Sequence, residues 1–433
     1  MRREDPLSGV SRMLRFVGEI TGGRSLPTMN FRQMFTALKY RNYRLWFMGQ
    51  TVSLMGTWMQ TAAQGFLVFE LTKSPAYLGY VGFATGVPAC LLMFFGGVCA
   101  DRMSRRKLLL LTQISMMSLA FILAGLTYFQ VVEAWHIILL AMGLGVANAF
   151  DAPARQAFVL EMVEREDLSN AIALNGTMFN LGVLSGPAIA GLVYLALGPA
   201  WCFTLNGISF IAVIIALTYM RVKPFIPKAN LTAPLDDFKE GLNYVLSHKV
   251  IRTLLSIVTV MCLFGTGYMT LIPAWAVNVL GGDAATNGWL LSARGVGALC
   301  AAMMIAALGR FEFKGRLVTF GTFVFPIMLF AFANVHLTPL SLVLLAGVGW
   351  SYIIIFNVLN ALVQSLVVDE YRGRVVSLYT FGVFGLTPAG ALLAGWGAEV
   401  LGAPLTINIS AAITLGYAIW VFIKVPQIRN QCS

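Results

Sequence analysis

Twelve stretches of about 20 mainly apolar residues follow one another from residue 45 to residue 424, divided by short polar segments. At 1.5 Å rise per residue, that length of helix matches the roughly 30 Å hydrocarbon core of a bilayer. A chain that spans lipid must satisfy its backbone internally, so the stretches predict helices. The expected spans are 45–71, 76–100, 108–130, 135–157, 168–197, 200–220, 251–280, 286–308, 316–334, 338–365, 374–401 and 404–424. The fold class is therefore an all-α membrane protein. Its expected units are an N-terminal segment (1–44), a six-helix bundle (45–220), a linker (221–250), a second six-helix bundle (251–424) and a tail (425–433).

Charge sets the orientation. If the N-terminus is cytoplasmic, all of the 30 basic residues but Lys73 and Arg294 fall in inside segments. That asymmetry predicts both termini on the cytoplasmic side and a multi-pass protein of the cell inner membrane. The net charge of +11 is thereby orientational, and no nucleic-acid partner is expected, because the cations sit between apolar runs and form no single basic face. The polar first 40 residues hold no signal-peptide core and are expected to stay in the cytoplasm.

The segment 221–250 is the one sizeable soluble stretch. Phe238, Leu242, Val245 and Leu246 at helical spacing beside Asp236, Lys239 and Glu240 predict a short amphipathic helix on the cytoplasmic surface. It is too small for a nucleotide-binding domain, and the chain has no G-x-x-x-x-G-K-[ST] loop, so ATP-driven transport by this chain is disfavoured. The six cysteines show no metal-ligand spacing, and His136, His248 and His336 form no cluster. No catalytic residue, metal or cofactor is expected.

An internal repeat points at a site. Laying Asn148, Asp151 and Arg155 of the fourth helix onto Asn357, Asn360 and Gln364 of the tenth fixes an offset between the halves. The same offset lays Gln50, Ser53, Thr57 and Thr61 of the first helix onto Thr259, Cys262, Thr266 and Thr270 of the seventh. At about 100° per residue, Gln50, Ser53, Thr57, Gln60, Thr61 and Gln64 make one polar stripe; Thr259, Cys262, Thr266 and Thr270 make a second, and Trp350, Asn357, Asn360 and Gln364 a third. Such stripes either line a wet cavity for a small-molecule substrate or bond helix to helix as packing. Three pseudo-equivalent helices carry one, which favours the cavity.

Gly97-Val-Cys-Ala-Asp101-Arg102-Met-Ser104-Arg105-Arg106-Lys107 resembles the G-x-x-x-D-[RK]-x-G-x-[RK]-[RK] signature of the major facilitator superfamily, with serine at position 104 where glycine is usual. The resemblance implies two pseudo-symmetric six-helix halves. It also implies a cytoplasmic gate of Gly97, Asp101, Arg102 and Arg106 with Arg155, near Arg372 and Arg374. Gly182, Gly186, Pro187 and Gly191 in the fifth helix are similar to the motif of that superfamily's exporters. Tyr40-Arg-Asn-Tyr-Arg44, Gln50 to Thr57, Pro153-Ala-Arg-Gln156 and Arg165-Glu-Asp-Leu-Ser-Asn-Ala171 resemble its enterobactin-exporter and macrolide-efflux branch. That resemblance implies export of a siderophore or hydrophobic drug, driven by a proton gradient.

Arg294 is the basic residue within a span, placed either to hold an anion or to snorkel toward the outer interface. Of the intramembrane carboxylates, Glu70 lies off the polar stripe and Glu399 near a helix end. Asp151 is the coupling candidate, or else a brace for Arg155. The basic side chains beside the gate also suit anionic membrane lipids. The expected function is alternating-access export between helices 1, 4, 7 and 10. Nutrient import by the same fold, and an uncoupled receptor or lipid scramblase, are the rival readings.

Overall fold

The computed structural model describes residues 33–221, 234–308 and 313–429. The N-terminal arginines up to Arg32, the Arg310 loop, the Phe238 side chain and Cys432 lie outside the described residues. The first half comprises α1 (Arg41–Thr72), α2 (Pro75–Arg102), α3 (Arg105–Tyr128), α4 (Ala134–Met162), α5 (Leu168–Leu197) and α6 (Pro199–Tyr219). A linker helix, α7 (Pro234–Ser247), follows. The second half comprises α8 (Lys249–Asn278), α9 (Ala284–Leu308), α10 (Lys314–Ala333), α11 (Thr338–Leu366), α12 (Asp369–Leu401) and α13 (Ala403–Lys424).

Among the described residues, eleven helices are long and apolar enough to cross a membrane. The twelfth, α1, has the length at 32 residues, but its amides and hydroxyls dilute its hydropathy. Several helices overrun their apolar stretch: α1 begins at Arg41, α4 continues to Met162 and α12 begins at Asp369. Backbone hydrogen bonding does not stop at the hydrocarbon boundary, so helix ends and apolar ends need not coincide.

α8 is broken by a π turn over Met261–Gly265, where the Thr266 N–H donates to the Met261 carbonyl at 2.9 Å. The extra residue per turn rotates everything beyond it, and such turns mark sites of bending. Glycine lets helices approach within each half. A Cβ at Gly96 or Gly145 would strike the backbone of Ala149 or Thr85, locking α2 to α4, and one at Gly297 would strike Ala346, locking α9 to α11.

The second half has its own apolar core around Trp275, Phe325 and Leu359. The first has one around Trp46 and Phe158 at the end where the chain enters α1, which we term the basic end. At the opposite, far end, a cluster around Met59, Phe66 and Tyr194 takes in Ala274 and Ala284 of the second half. Among the described residues, only there does a core run from one half into the other.

The linker helix docks on the second half. Tyr244 stacks on Tyr371 at 4.5 Å between ring centroids, and Glu240 pairs with Arg374 at 2.8 Å. Two of the sequence segments singled out above also meet. Lys39 and the Tyr40 hydroxyl reach Asp167 at 2.6 and 2.8 Å, and the Tyr43 hydroxyl donates to the Ala171 carbonyl at 2.8 Å. Those two donors hold the Asp167 carboxyl below its ordinary value, and they tie the start of α1 to the α4–α5 turn.

Candidate functional site

At the basic end the second half is open between α11 and the start of α12. An opening of about 510 Å³ is lined by Asn357, Asn360, Ala361, Gln364, Ser365 and Arg372. The Gln364 amide donates to Asn360 Oδ1 at 2.5 Å, and Arg372 Nε donates to the Gln364 carbonyl at 3.0 Å. Three residues of the α11 stripe and one gate arginine are thus brought together around an opening large enough for a drug-sized solute. Trp350, on the same stripe, packs edge-on against Phe320 of α10 instead.

The α1 stripe divides. Gln60 is buried and accepts a hydrogen bond from the Asn206 amide of α6 at 2.7 Å, which is packing within the first half. Gln50 and Gln64 are buried, and the Gln50 Oε1 has no partner. Thr57 is half-buried and Thr61, one turn on, is exposed. In α8, Thr266 is buried with its hydroxyl spent on the Cys262 carbonyl at 2.9 Å. Helical periodicity had placed these side chains on shared faces; it could not distinguish a face turned to a neighbour from one turned to water.

On α4, Asn148 is half-buried. Asp151 is 1% exposed and accepts from Thr112 and Gln113 of α3, both at 2.9 Å, and from Arg155 at 3.3 Å. Its three donors come from both helices, so the carboxylate joins α3 to α4. Of the residues expected at a gate, Asp101, Arg106 and Arg372 find partners within their own halves. Asp101 meets Arg105 at 3.7 Å, and Arg105 reaches Glu161 at 2.6 Å. Arg106 donates to the Thr218 carbonyl at 2.7 Å, Arg102 is exposed, and Arg372 pairs with Asp369. Asp101 and Arg155 are not joined in this conformation. Gly97 has open space beside it. Ser104 sits at φ −57°, ψ 117°, a conformation open to any residue, so the usual glycine is not needed there.

At the far end the halves interlock through small residues. Gly182 and Gly186 pack on α1 at Leu54, Met55 and Trp58, while Gly191 lies against Ala285 of α9. Gly288 lies against the Pro187 carbonyl, and Gly295 against Leu184. The α2–α12 contact mirrors this one: Gly79 faces Ala391 and Gly395, and Gly86 faces Pro388. The offset that aligned the polar stripes also aligns Gly79 with Gly288, Gly86 with Gly295 and Gly186 with Gly395. Gly79, Gly86, Gly288 and Gly295 were missed in the sequence, although the repeat already contained the signal. A polar latch completes the interface, with the Ser74 hydroxyl at 2.6 Å and the Ala76 N–H at 3.3 Å both donating to Glu399 Oε2. This carboxylate of the second half thus caps the N-terminus of α2 in the first, where the helix dipole favours negative charge. Glu70 accepts from Tyr194 within the first half.

The family described as transmembrane secretion effector matches residues 33–433. The staphyloferrin A transporter of Staphylococcus aureus is 25% identical over 377 residues, covering 86% of this chain and 93% of that one. The multidrug efflux pump Tap of Mycolicibacterium fortuitum is 27% identical over 390 residues, covering 87% and 93%. Among solved structures, the nucleoside transporter NupG superposes with a TM-score of 0.67 at 17% identity, over 89% of this chain and 98% of that one. At that identity the likeness concerns the fold alone.

Proposed function

Because the chain belongs to the transmembrane secretion effector family of the major facilitator superfamily, and is a transporter rather than an enzyme, we propose that it exports a small amphiphilic compound from the cytoplasm by alternating access. The observation that carries this reading is the asymmetry of the two ends. Glycine contacts and the Ser74–Glu399 latch join the halves at the far end, while the basic end holds the 510 Å³ opening between Asn357 and Arg372. Taking the basic end as cytoplasmic, as the distribution of cations favours, this is the state that loads from inside. The membrane is then the inner one, with both termini cytoplasmic. Rocking the halves about their interface would break the far contacts and bring Asp101 and Arg155 toward the α12 start at Arg372 and Arg374, closing the loading side.

The siderophore transporter and the multidrug pump among its relatives support a siderophore or a hydrophobic drug as cargo. The proton gradient is the driving force in this reading. Asp151 is committed to three donors, whereas the hydrogen-bond partners of Glu399 lie in the other half. Its protonation from the far side would loosen the latch, which links proton entry to opening.

The test is accumulation of a lipophilic fluorescent dye and of a radiolabelled siderophore in everted vesicles energised acid inside. Uptake above that of vesicles lacking the protein, abolished by an uncoupler, supports export. Uptake confined to right-side-out vesicles would favour nutrient import, and identical traces with and without the protein count against transport altogether.

A further inference from the structure

Resting on that export reading, we propose that Arg294 is an anion-binding element of the transport path, and that the exported compounds carry a carboxylate beside an apolar body. Arg294 lies near the middle of α9, where α8, α9 and α11 meet; a Cβ on Gly349 of α11 would strike its backbone, so the two helices are in close contact at this level. The guanidinium contacts the Met269 sulfur at 2.8 Å and lies 5.9 Å from the centroid of the Tyr352 ring. It carries five donors and no acceptor. A thioether is a weak acceptor, and a ring face a modest partner for a cation.

Among the described residues no carboxylate pairs with it. A cation at this depth is costly in hydrocarbon and is ordinarily paired or turned to a water-filled path. Tyr268 supplies an independent second observation. It is 2% exposed, its hydroxyl is buried without a partner, and it adjoins Met269, whose sulfur meets the Arg294 guanidinium.

A fixed cation and an unpaired phenol call for an oxyanion. One guanidinium balances a single negative charge, and its fork matches the two oxygens of a carboxylate. A doubly charged phosphate would leave charge uncompensated at low dielectric. Met269, Tyr352 and Phe356, the last two in ring contact at 4.4 Å, supply the apolar wall. Along α11 the basic-end opening comes first, at Gln364, Asn360 and Asn357, and Tyr352 lies deeper. Cargo entering from that end would meet amides first and the charge last.

Calorimetric binding to the purified full-length protein in nanodiscs tests this with two probes of equal shape, 2-naphthoate and its uncharged amide. We expect the carboxylate to bind about tenfold tighter or more, the scale of a charge-assisted pair. Arg294→Gln should erase that preference with the amide affinity unchanged. Arg294→Lys, a point charge without the fork, should retain part of it. Tyr268→Phe should weaken the carboxylate alone. Equal affinity of the wild-type protein for both probes overturns the proposal, as does an undiminished preference in Arg294→Gln. If that variant does not fold, the wild-type comparison and Tyr268→Phe decide. Inorganic phosphate displacing naphthoate as well as benzoate does would overturn the assignment to carboxylates. Binding is read without a gradient, so failure of vesicle transport leaves this result standing. Conversely, loss of the carboxylate preference would leave export of an uncharged dye intact.

Discussion

Replacing Gly395 with alanine should tilt the protein away from the state described here. A Cβ at that position would come 2.8 Å from Gly79 Cα, 2.9 Å from Gly79 N and 2.9 Å from the Pro75 carbonyl. All three are backbone atoms of the other half, so no side-chain rotation relieves the contact. Overpacking of this kind costs about 1–3 kcal/mol. The strain exists only while the far end is closed. At about 1.4 kcal/mol per factor of ten, the equilibrium between far-closed and far-open states should move by roughly 5- to 150-fold. Alanine also raises helix propensity by up to about 1 kcal/mol, but equally in both states, so that gain cancels.

The assay is alkylation of single cysteines in a background without the native ones. Asn360→Cys at the opening should react more slowly in the Gly395→Ala protein, and Ala285→Cys, covered by Gly191 across the interface, should react faster. Gly176→Ala in α5, with open space around it, is the control and should change neither rate. If Gly395→Ala folds and both reporters keep their wild-type rates, the far-end glycines do not set the equilibrium and the reasoning fails.

Three further outcomes are expected. Asp151→Asn removes the charge shared by Thr112, Gln113 and Arg155; it should destabilise the protein by about 1–3 kcal/mol, read as a lowered thermal midpoint, and a double-mutant cycle with Gln113→Ala should show coupling. Gln60→Ala breaks the bond to Asn206 and should cost about 0.6 and at most about 2 kcal/mol with apparent cargo affinity unchanged, whereas Asn357→Ala and Asn360→Ala should alter affinity at unchanged stability. Glu399→Gln mimics the protonated latch. Removing a charge from a helix N-terminus is worth about 0.3–1 kcal/mol, so labelling at Ala285→Cys should rise roughly two- to fivefold, and identical labelling would show that the latch is incidental.

The helices and their number were legible because hydrocarbon thickness leaves few solutions for apolar runs of this length. Their ends were less so, since Arg41, Met162 and Asp369 are helical by hydrogen bonding and not by hydropathy. Stripe periodicity assigned Gln60 and Asn357 to the same role, yet Gln60 meets an amide of a neighbouring helix and Asn357 faces the opening. That difference is set by packing between helices distant in sequence, whereas the placement of Asp151 against Thr112 and Gln113 is set by packing between the consecutive helices α3 and α4. Glycines are frequent in membrane helices, so Gly79, Gly86 and Gly288 stood out only once contacts between the halves gave them a partner. The π turn at Met261–Gly265 has no composition signal among the residues that form it.

The central claim is that one interface opens as the other closes. Electron–electron distance measurements in nanodiscs test it directly, with one spin-label pair at Lys107 and Glu370 on the basic end and another at Tyr128 and Leu337 on the far end. On shifting from the ligand-free protein to one held under saturating cargo or acid pH, the account predicts that the basic-end distance shortens while the far-end distance lengthens. Distances that stay fixed at both ends, or that change with the same sign, would contradict it.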